Sequence, residues 1–171
     1  LAAGADARRV LDCGTGSGAL LLAVLAHMPD AEGIGIDRSE AALAVARANA
    51  AQLGLAARAD FRLADWDAPG WAEALDRFDL ILANPPYVED RAVLDLSVRA
   101  HEPAGALFAG PDGLDAYRML IPQLPALLAR EGTALVEIGA SQADAVSAIA
   151  ERAGFCVCVH PDLAGRDRVL E

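Results

Sequence analysis

The chain has 171 residues and a formal net charge of −11 at pH 7. This length suits one domain with a large core. No apolar run approaches the roughly 20 residues that span a bilayer, so we expect no membrane partner. All 14 basic residues are arginine. Because an acidic chain is repelled by phosphate backbones, the charge argues against a nucleic-acid partner.

The cysteines and histidines show no metal-binding pattern. Cys156 and Cys158 alternate along a predicted strand, and we expect them to be small, buried residues on one face of it. An odd number of cysteines in a chain without a secretory signal predicts reduced thiols and a cytoplasmic location. The histidines lack ligand spacing, so no metal is predicted at His27, His101 or His160.

In the first half of the chain, strand-like apolar runs alternate with helix-like ones. We predict strands at 8–13, 33–37, 59–63 and 78–83, and helices at 19–27 and 40–53. The first helix is apolar on all sides, as expected for a helix packed against a sheet. Ser39 is the predicted N-cap of the second helix, and Gly54 is its predicted stop.

The second half of the chain is less regular. We predict irregular structure over 88–113 with a short helix at 91–98, followed by a helical segment over 114–130. Pro122 and Pro125 should kink that segment or divide it into two short helices. The remaining predicted elements are strands at 132–139, 155–160 and from 168 onward, and a helix at 142–153.

This alternation of strands and helices predicts one α/β domain over 1–171. Its sheet should be doubly wound, seven-stranded and mostly parallel, with right-handed crossovers. No helix is predicted between the last two strands. The last strand should therefore be antiparallel.

A glycine-rich loop connects the first strand to the first helix. Asp12 begins the pattern, and Gly14, Gly16 and Gly18 follow at alternate positions. Glycines there permit positive φ angles and let the backbone approach a ligand closely. The spacing differs from that of dinucleotide-binding loops because Ala19 follows directly, which disfavours a nicotinamide oxidoreductase. A plain tight turn seldom needs three glycines, so we predict a ligand-binding loop.

Acidic residues end the next two strands. Asp37 closes the second strand, where a carboxylate can accept both hydroxyl groups of a ribose; a helix cap is the alternative. Asp65 and Trp66 follow the third strand and could take an adenine amino group and cover the ring. A surface acid beside a half-buried tryptophan explains the latter pair nearly as well.

The fourth strand delivers Asn84, Pro85, Pro86 and Tyr87 to its carboxyl end. Each proline fixes φ and lacks an N–H, and the residue before each is pushed toward extended geometry. The loop is therefore stiff, with carbonyl groups and a side-chain amide. We predict that it holds a planar, amide-like group.

These four features together resemble the class I S-adenosylmethionine-dependent methyltransferases, and the implied fold is Rossmann-like. The Asn-Pro-Pro-Tyr form is shared by enzymes that methylate planar nitrogens in DNA adenine, ribosomal RNA guanine or protein glutamine. Further clusters resemble the peptide-chain release factor glutamine N5-methyltransferases: His101-Glu102-Pro103, Gly110-Pro111-Asp112-Gly113, Glu137-Ile138-Gly139 with Gln142, and the 162–168 segment.

The resemblance implies roles for individual residues. S-adenosylmethionine would be bound by Asp12, Gly14, Thr15, Gly16, Ser17, Gly18, Asp37, Asp65, Trp66 and Asn84. The glycine loop would face its methionine part, Asp37 its ribose, and Asp65 or Trp66 its adenine. The glutamine amide of a release factor would lie at Asn84, Pro85, Pro86 and Tyr87, with Asn84, Pro85 and Tyr87 as the catalytic residues. Members of the family also carry an N-terminal helical domain that helps to engage the release factor, and we expect this domain to be absent from the chain.

Two other functions remain open on the sequence. The same loop could act on a flipped base in a nucleic-acid methyltransferase of the adenine-N6 or guanine-N2 type. The negative charge and the lack of a basic target domain argue against it. A non-catalytic, cofactor-binding scaffold would bind S-adenosylmethionine without any methyl acceptor.

Overall fold

The computed structural model describes residues 7–91 and 107–171. In the first part, strands and helices alternate as predicted. The elements are β1 (Arg9–Cys13), α1 (Ala19–His27), β2 (Glu32–Asp37), α2 (Glu40–Gln52), β3 (Ala59–Leu63) and β4 (Phe78–Ala83). The predicted cap and stop of α2 are both confirmed: the Ser39 hydroxyl accepts the Ala42 N–H at 3.3 Å, and Gly54 has a φ of +70°.

The second part contains shorter helices and the remaining strands. They are α3 (Asp115–Leu120), a 3₁₀ turn (Ile121–Gln123), α4 (Leu124–Leu127), β5 (Leu128–Glu137), α5 (Ala143–Arg152), β6 (Val159–Pro161) and β7 (Asp167–Leu170). The prolines divide the helical segment as predicted. None of the helices in the described ranges is long and apolar enough to cross a membrane. The short helix predicted at 91–98 falls almost entirely outside the described residues.

The strands form one seven-stranded sheet in the order β3-β2-β1-β4-β5-β7-β6. β1 pairs in parallel with both β2 and β4, and β2 pairs in parallel with β3. β7 runs antiparallel to its neighbours β5 and β6. The predicted α/β class and the antiparallel last strand are confirmed.

The chain divides into two compact units. The first unit comprises Leu1–Asn84 and Leu124–Leu135, and the second comprises Pro85–Gln123 and Val136–Glu171. The core of the first unit lies where α1 and α2 cover the sheet, with Leu21, Leu25 and Leu43 fully buried. Gly33 lets α1 lie close to β2, because a Cβ there would collide with the Leu21 side chain. Truncating such a core leucine to alanine costs about 2–5 kcal/mol.

The second unit has its own buried side chains. α5 contacts α3, the 3₁₀ turn and β7. Tyr117, Leu120, Ile138 and Val146 are completely buried there. This packing supports the segment that follows Asn84.

The boundaries of β5 and β6 differ from the predictions. The predicted helix through 130 is wrong, because the chain becomes a strand at Leu128, and β5 ends at Glu137 rather than 139. The Arg77 guanidinium donates a hydrogen bond of 2.6 Å to the Leu128 carbonyl, so this carbonyl is held by a distant residue. A contact of this kind overrides the local helix propensity of the Leu-Ala-Arg-Glu sequence.

The expectation for the two C-terminal cysteines is also wrong. Cys156 and Cys158 are exposed, and β6 covers only Val159–Pro161. The backbone of Cys158 pairs with that of Glu171 through two hydrogen bonds of 2.8 Å. β6 is one of the two edge strands of the sheet, and the cysteines lie just before it at this edge.

Candidate active site

The register of three adjacent strands gathers the predicted site residues of the first unit at one edge. Cys13 in β1 pairs with Ile36 in β2 and with Ala83 in β4. The residues that follow these three, Gly14, Asp37 and Asn84, therefore leave the sheet side by side. Ligands of open α/β sheets bind at this carboxyl edge.

The next strand extends the same edge. Asp37 pairs with Leu63, the last residue of β3, so Asp65 and Trp66 begin two residues beyond it. All of the predicted cofactor-binding positions thus fall within the first unit and on one edge of its strands. The sequence pattern could not establish this arrangement without the register.

The glycine loop has the left-handed backbone conformations that its sequence indicates. Gly14, Gly16 and Gly18 have φ angles of +74°, +55° and +81°, in the left-handed region that favours glycine. The N–H groups of Gly14 and Thr15 both donate to the Ile36 carbonyl, at 2.9 and 2.8 Å. These bonds fix the start of the loop against the end of β2.

Asp12 lies underneath this loop. Its side chain is 1% exposed, and its Oδ2 accepts a hydrogen bond of 2.6 Å from the buried Thr15 hydroxyl. Burial raises the pKa of Asp12 to about 6, while hydrogen bonds from Thr15 and the Leu21 backbone act in the opposite direction. The Asp12 side chain is therefore placed to stabilise the loop conformation from beneath, through its hydrogen bond with Thr15.

Asp37 supports the loop from the neighbouring strand. Its Oδ2 accepts the Gly16 N–H at 2.9 Å, and its Oδ1 accepts the Ser39 N–H at 2.8 Å. Each carboxylate oxygen can accept a further hydrogen bond. Asp37 is half-buried. Its carboxylate oxygens are held in place by the loop and could accept hydrogen bonds from a hydroxyl-bearing ligand at this edge.

Trp66 packs against the loop, and this contact explains one of the glycines. A Cβ on Gly14 would lie 2.9 Å from Cη2 of the indole, whereas a Cβ on Gly16 would meet nothing within 4 Å. Gly14 is therefore needed to accommodate the tryptophan, while Gly16 borders open space. Asp65 is half-buried, and its Oδ1 accepts the Asp67 N–H at 3.1 Å.

The Asn-Pro-Pro-Tyr segment begins on the same edge. Asn84 is exposed and Pro85 is buried. In the second unit, the Tyr87 hydroxyl donates to Glu137 Oε1 at 3.3 Å. Burial, and next the negative charge of Glu137, raise the pKa of Tyr87, so the phenol stays protonated at neutral pH.

Residues with no assigned role in the sequence analysis complete the surroundings of Tyr87. Gln142 contacts its carbonyl oxygen, and the buried Tyr117 donates its hydroxyl to the Glu137 carbonyl at 3.0 Å. Neither role has a local sequence signal, because both contacts join residues at least 20 positions apart. His101, Glu102 and Pro103 lie outside the described residues.

Comparisons with known proteins agree with this arrangement. A family profile described as "Methyltransferase domain" matches residues 5–128. The chain belongs to this methyltransferase family.

Two relatives match nearly the whole of this chain. The chain is 50% identical over 164 residues to the release factor glutamine methyltransferase of Cereibacter sphaeroides, covering 94% of this chain and 58% of that protein. It is 47% identical over 165 residues to the protein of the same name in Rhodospirillum rubrum, covering 95% of this chain and 50% of that one. The chain thus spans only about half the length of these relatives.

A solved structure supports the fold. An O-methyltransferase family protein from Burkholderia thailandensis superposes with a TM-score of 0.73 at 19% identity, covering 99% of this chain and 52% of that chain. At that identity the likeness concerns the Rossmann-like fold alone.

Proposed function

We propose that this protein transfers a methyl group from S-adenosylmethionine to the side-chain amide nitrogen of a glutamine in a peptide-chain release factor. One observation carries the proposal. Cys13 and Ala83 are paired across β1 and β4, so the glycine loop and Asn84 emerge next to each other. A methyl donor and a planar acceptor can therefore be held side by side.

The residues at the edge of the first unit fit S-adenosylmethionine. The open space beside Gly16 allows the close approach of a ligand to the loop backbone. Asp37 would accept from the ribose hydroxyls, the loop from Gly14 to Gly18 would face the methionine part, and Asp65 with Trp66 would border the adenine. When bound, the cofactor supplies a methyl group on a positively charged sulfur, which is already activated for transfer.

Asn84 and the adjacent Pro85 would orient the acceptor. An amide nitrogen is a poor nucleophile because its lone pair is delocalised into the carbonyl group. The Asn84 side-chain oxygen and the Pro85 carbonyl can accept the two amide N–H bonds, which fixes the nitrogen and favours the charge that develops on it. Alignment of this kind removes about 7–11 kcal/mol of the barrier in favourable cases.

The predicted catalytic Tyr87 would act as part of the pocket wall and not as a base. Its raised pKa and its hydrogen bond to Glu137 keep the hydroxyl protonated. An N-alkylated amide cation loses its proton readily, so the reaction does not require a strong base at the amide. Proton loss to solvent would follow methyl transfer.

Two further observations support a protein acceptor. The relatives with 47–50% identity are named for methylation of release factor glutamine. The net charge of −11 opposes binding to a phosphate backbone.

Competing acceptors test the proposal. The protein is incubated with isotopically labelled S-adenosylmethionine and equal amounts of release factor, duplex DNA and ribosomal RNA. Label in the release factor supports the proposal. Label in a nucleic acid would assign the base-modifying alternative, and cofactor binding without label in any acceptor would assign the scaffold.

A further inference from the structure

Gln142 joins three separate backbone segments of the second unit. Its side-chain Nε2 donates to the carbonyl oxygens of Tyr87 and Gly113, at 3.1 and 3.2 Å. Its Oε1 accepts the N–H of Gly139 at 3.0 Å. The three segments are the one after β4, the one before α3 and the one after β5.

The orientation of this side-chain amide follows from its partners. Both contacts of Nε2 are carbonyl oxygens, and the contact of Oε1 is an N–H, so the reverse orientation would place oxygen against oxygen twice. Gln142 is the N-cap residue of α5, yet its side chain makes no capping hydrogen bond. The side chain therefore does not cap the helix, as the side chain of an N-cap residue usually does, but contacts the three backbone segments instead.

Two glycines make room for this contact. A Cβ on Gly113 would lie 2.8 Å from Gln142 Nε2 and would also collide with the Tyr87 carbonyl oxygen. A Cβ on Gly139 would lie 2.6 Å from Gln142 Oε1. Larger residues at either position would displace the amide.

The contact fixes the end of the proline segment. Pro85 and Pro86 have no N–H, so they cannot hold their own position by donating hydrogen bonds. The first donor after Tyr87 is Val88, whose N–H donates to the Leu107 carbonyl at 2.8 Å. Because the Tyr87 carbonyl accepts from Gln142, the peptide between Tyr87 and Val88 is held on its carbonyl side by this side chain and on its N–H side by Leu107.

We propose that Gln142 is a positioning residue, which holds the Tyr87 carbonyl group and thereby keeps the Pro85-Pro86-Tyr87 segment in place for binding of the substrate amide. This inference rests on the proposed function, since it gives Gln142 a part in alignment of the acceptor. A misplacement of about 1 Å at a reacting group lowers the rate by about 100-fold. The loss should appear in turnover of the acceptor and leave the affinity for S-adenosylmethionine unchanged, because the three side-chain hydrogen bonds of Gln142 within the described residues all join residues of the second unit.

The test uses two substitutions in the full-length protein. Gln142→Glu keeps the shape and one acceptor but removes both donors, and Gln142→Met removes all three hydrogen bonds without adding charge. Gln123→Glu and Gln123→Met are the matched controls, because Gln123 is a half-buried glutamine of the same unit whose side chain also donates to a backbone carbonyl, that of Met119, at 2.8 Å. Three quantities are measured: kcat with release factor, the Kd for S-adenosylmethionine, and backbone hydrogen exchange at 87–90 and 138–140.

We expect both Gln142 variants to lower kcat by about 10–100-fold, with a Kd within about twofold of the wild-type value. Exchange at 87–90 should be faster in both variants, and exchange at 138–140 should be faster in Gln142→Met, which loses the acceptor of the Gly139 N–H. The Gln123 variants should match the wild type in all three quantities. Unchanged kcat and exchange in the Gln142 variants would overturn the inference, as would a loss of kcat explained entirely by weaker cofactor binding.

A failure of the proposed function can be distinguished from a failure of the inference about Gln142. If the wild-type protein methylates no release factor, the proposed function is refuted. The role of Gln142 in acceptor alignment is then refuted with it, even where exchange in the variants shows that the side chain holds the Tyr87 segment.

Discussion

Replacing the buried Asp12 by asparagine should change how the free energy of unfolding depends on pH. The pKa of this carboxyl group is raised from 3.8 to about 6 in the folded protein, mainly because of burial. Between these two values the folded state retains a proton that the unfolded state has released. The contribution of Asp12 to stability is therefore fully present below about pH 4 and is lost as the pH rises through about 6.

The size of the effect follows from the shift. About two pKa units at about 1.36 kcal/mol each give about 3 kcal/mol. The asparagine side chain does not titrate, so the free energy of unfolding of the Asp12→Asn variant minus that of the wild type should rise by about this amount between pH 3.5 and pH 7. Other carboxyl groups titrate in both proteins and cancel in the difference.

Urea unfolding followed by circular dichroism at pH 3.5, 5 and 7 provides the measurement. Asp67→Asn serves as a reference, because Asp67 is exposed and lies near the same edge. A difference between Asp12→Asn and wild type that stays constant with pH, or that falls, would refute the placement of Asp12 as a buried support of the glycine loop.

Four further substitutions test the site. Asn84→Ala should lower kcat by about 100-fold or more with little change in cofactor affinity; a loss of cofactor binding measured by calorimetry would instead move Asn84 out of the acceptor role. Gly16→Ala should weaken S-adenosylmethionine binding and lower the free energy of unfolding by about 1 kcal/mol, because Gly16 has a positive φ. Gly14→Ala should lower the stability measured by thermal unfolding by more than this, because the added Cβ would also collide with Trp66. Equal costs would contradict that contact. Tyr87→Phe should lose about 0.5–1.5 kcal/mol of stability with the hydrogen bond to Glu137 and keep most of its turnover; a collapse of kcat would show that the hydroxyl takes part in the reaction.

The first four strands could be located from the sequence because local signals agree there. β1, β2 and β4 are short apolar runs, β3 alternates apolar and charged residues, and α2 has a clear cap at Ser39 and a stop at Gly54. The Asp12 to Gly18 pattern also indicated a loop with positive φ angles, which all three of its glycines adopt. Local conformation and tertiary packing favour the same structure in this part of the chain.

The differences arise where distant contacts decide the structure. The start of β5 at Leu128 depends on a hydrogen bond from Arg77, 51 residues earlier. The exposure of Cys156 and Cys158 depends on what packs over their segment, and alternation along a predicted strand does not contain that information. Sequence spacing alone does not predict contacts of this kind.

In the candidate site, too, local patterns predicted some features, and distant contacts decided the others. The sequence located the groups on the carboxyl edge, but a pattern of residue types could not distinguish a carboxylate facing a ligand from one beneath the loop, as Asp12 is. The contacts of Gln142 span up to 55 residues, and a glutamine before a helix has no distinctive local meaning. Only the fold brings such residues together.

The central claim is that the acceptor is a protein amide. Mass spectrometry of the release factor after incubation with the protein and S-adenosylmethionine tests it most directly. The expected product carries one added methyl group on the side-chain amide nitrogen of a glutamine, and this group is absent when the Asn84→Ala variant is used. A methyl group on any other residue, or an unmodified release factor beside a methylated nucleic acid, would contradict it.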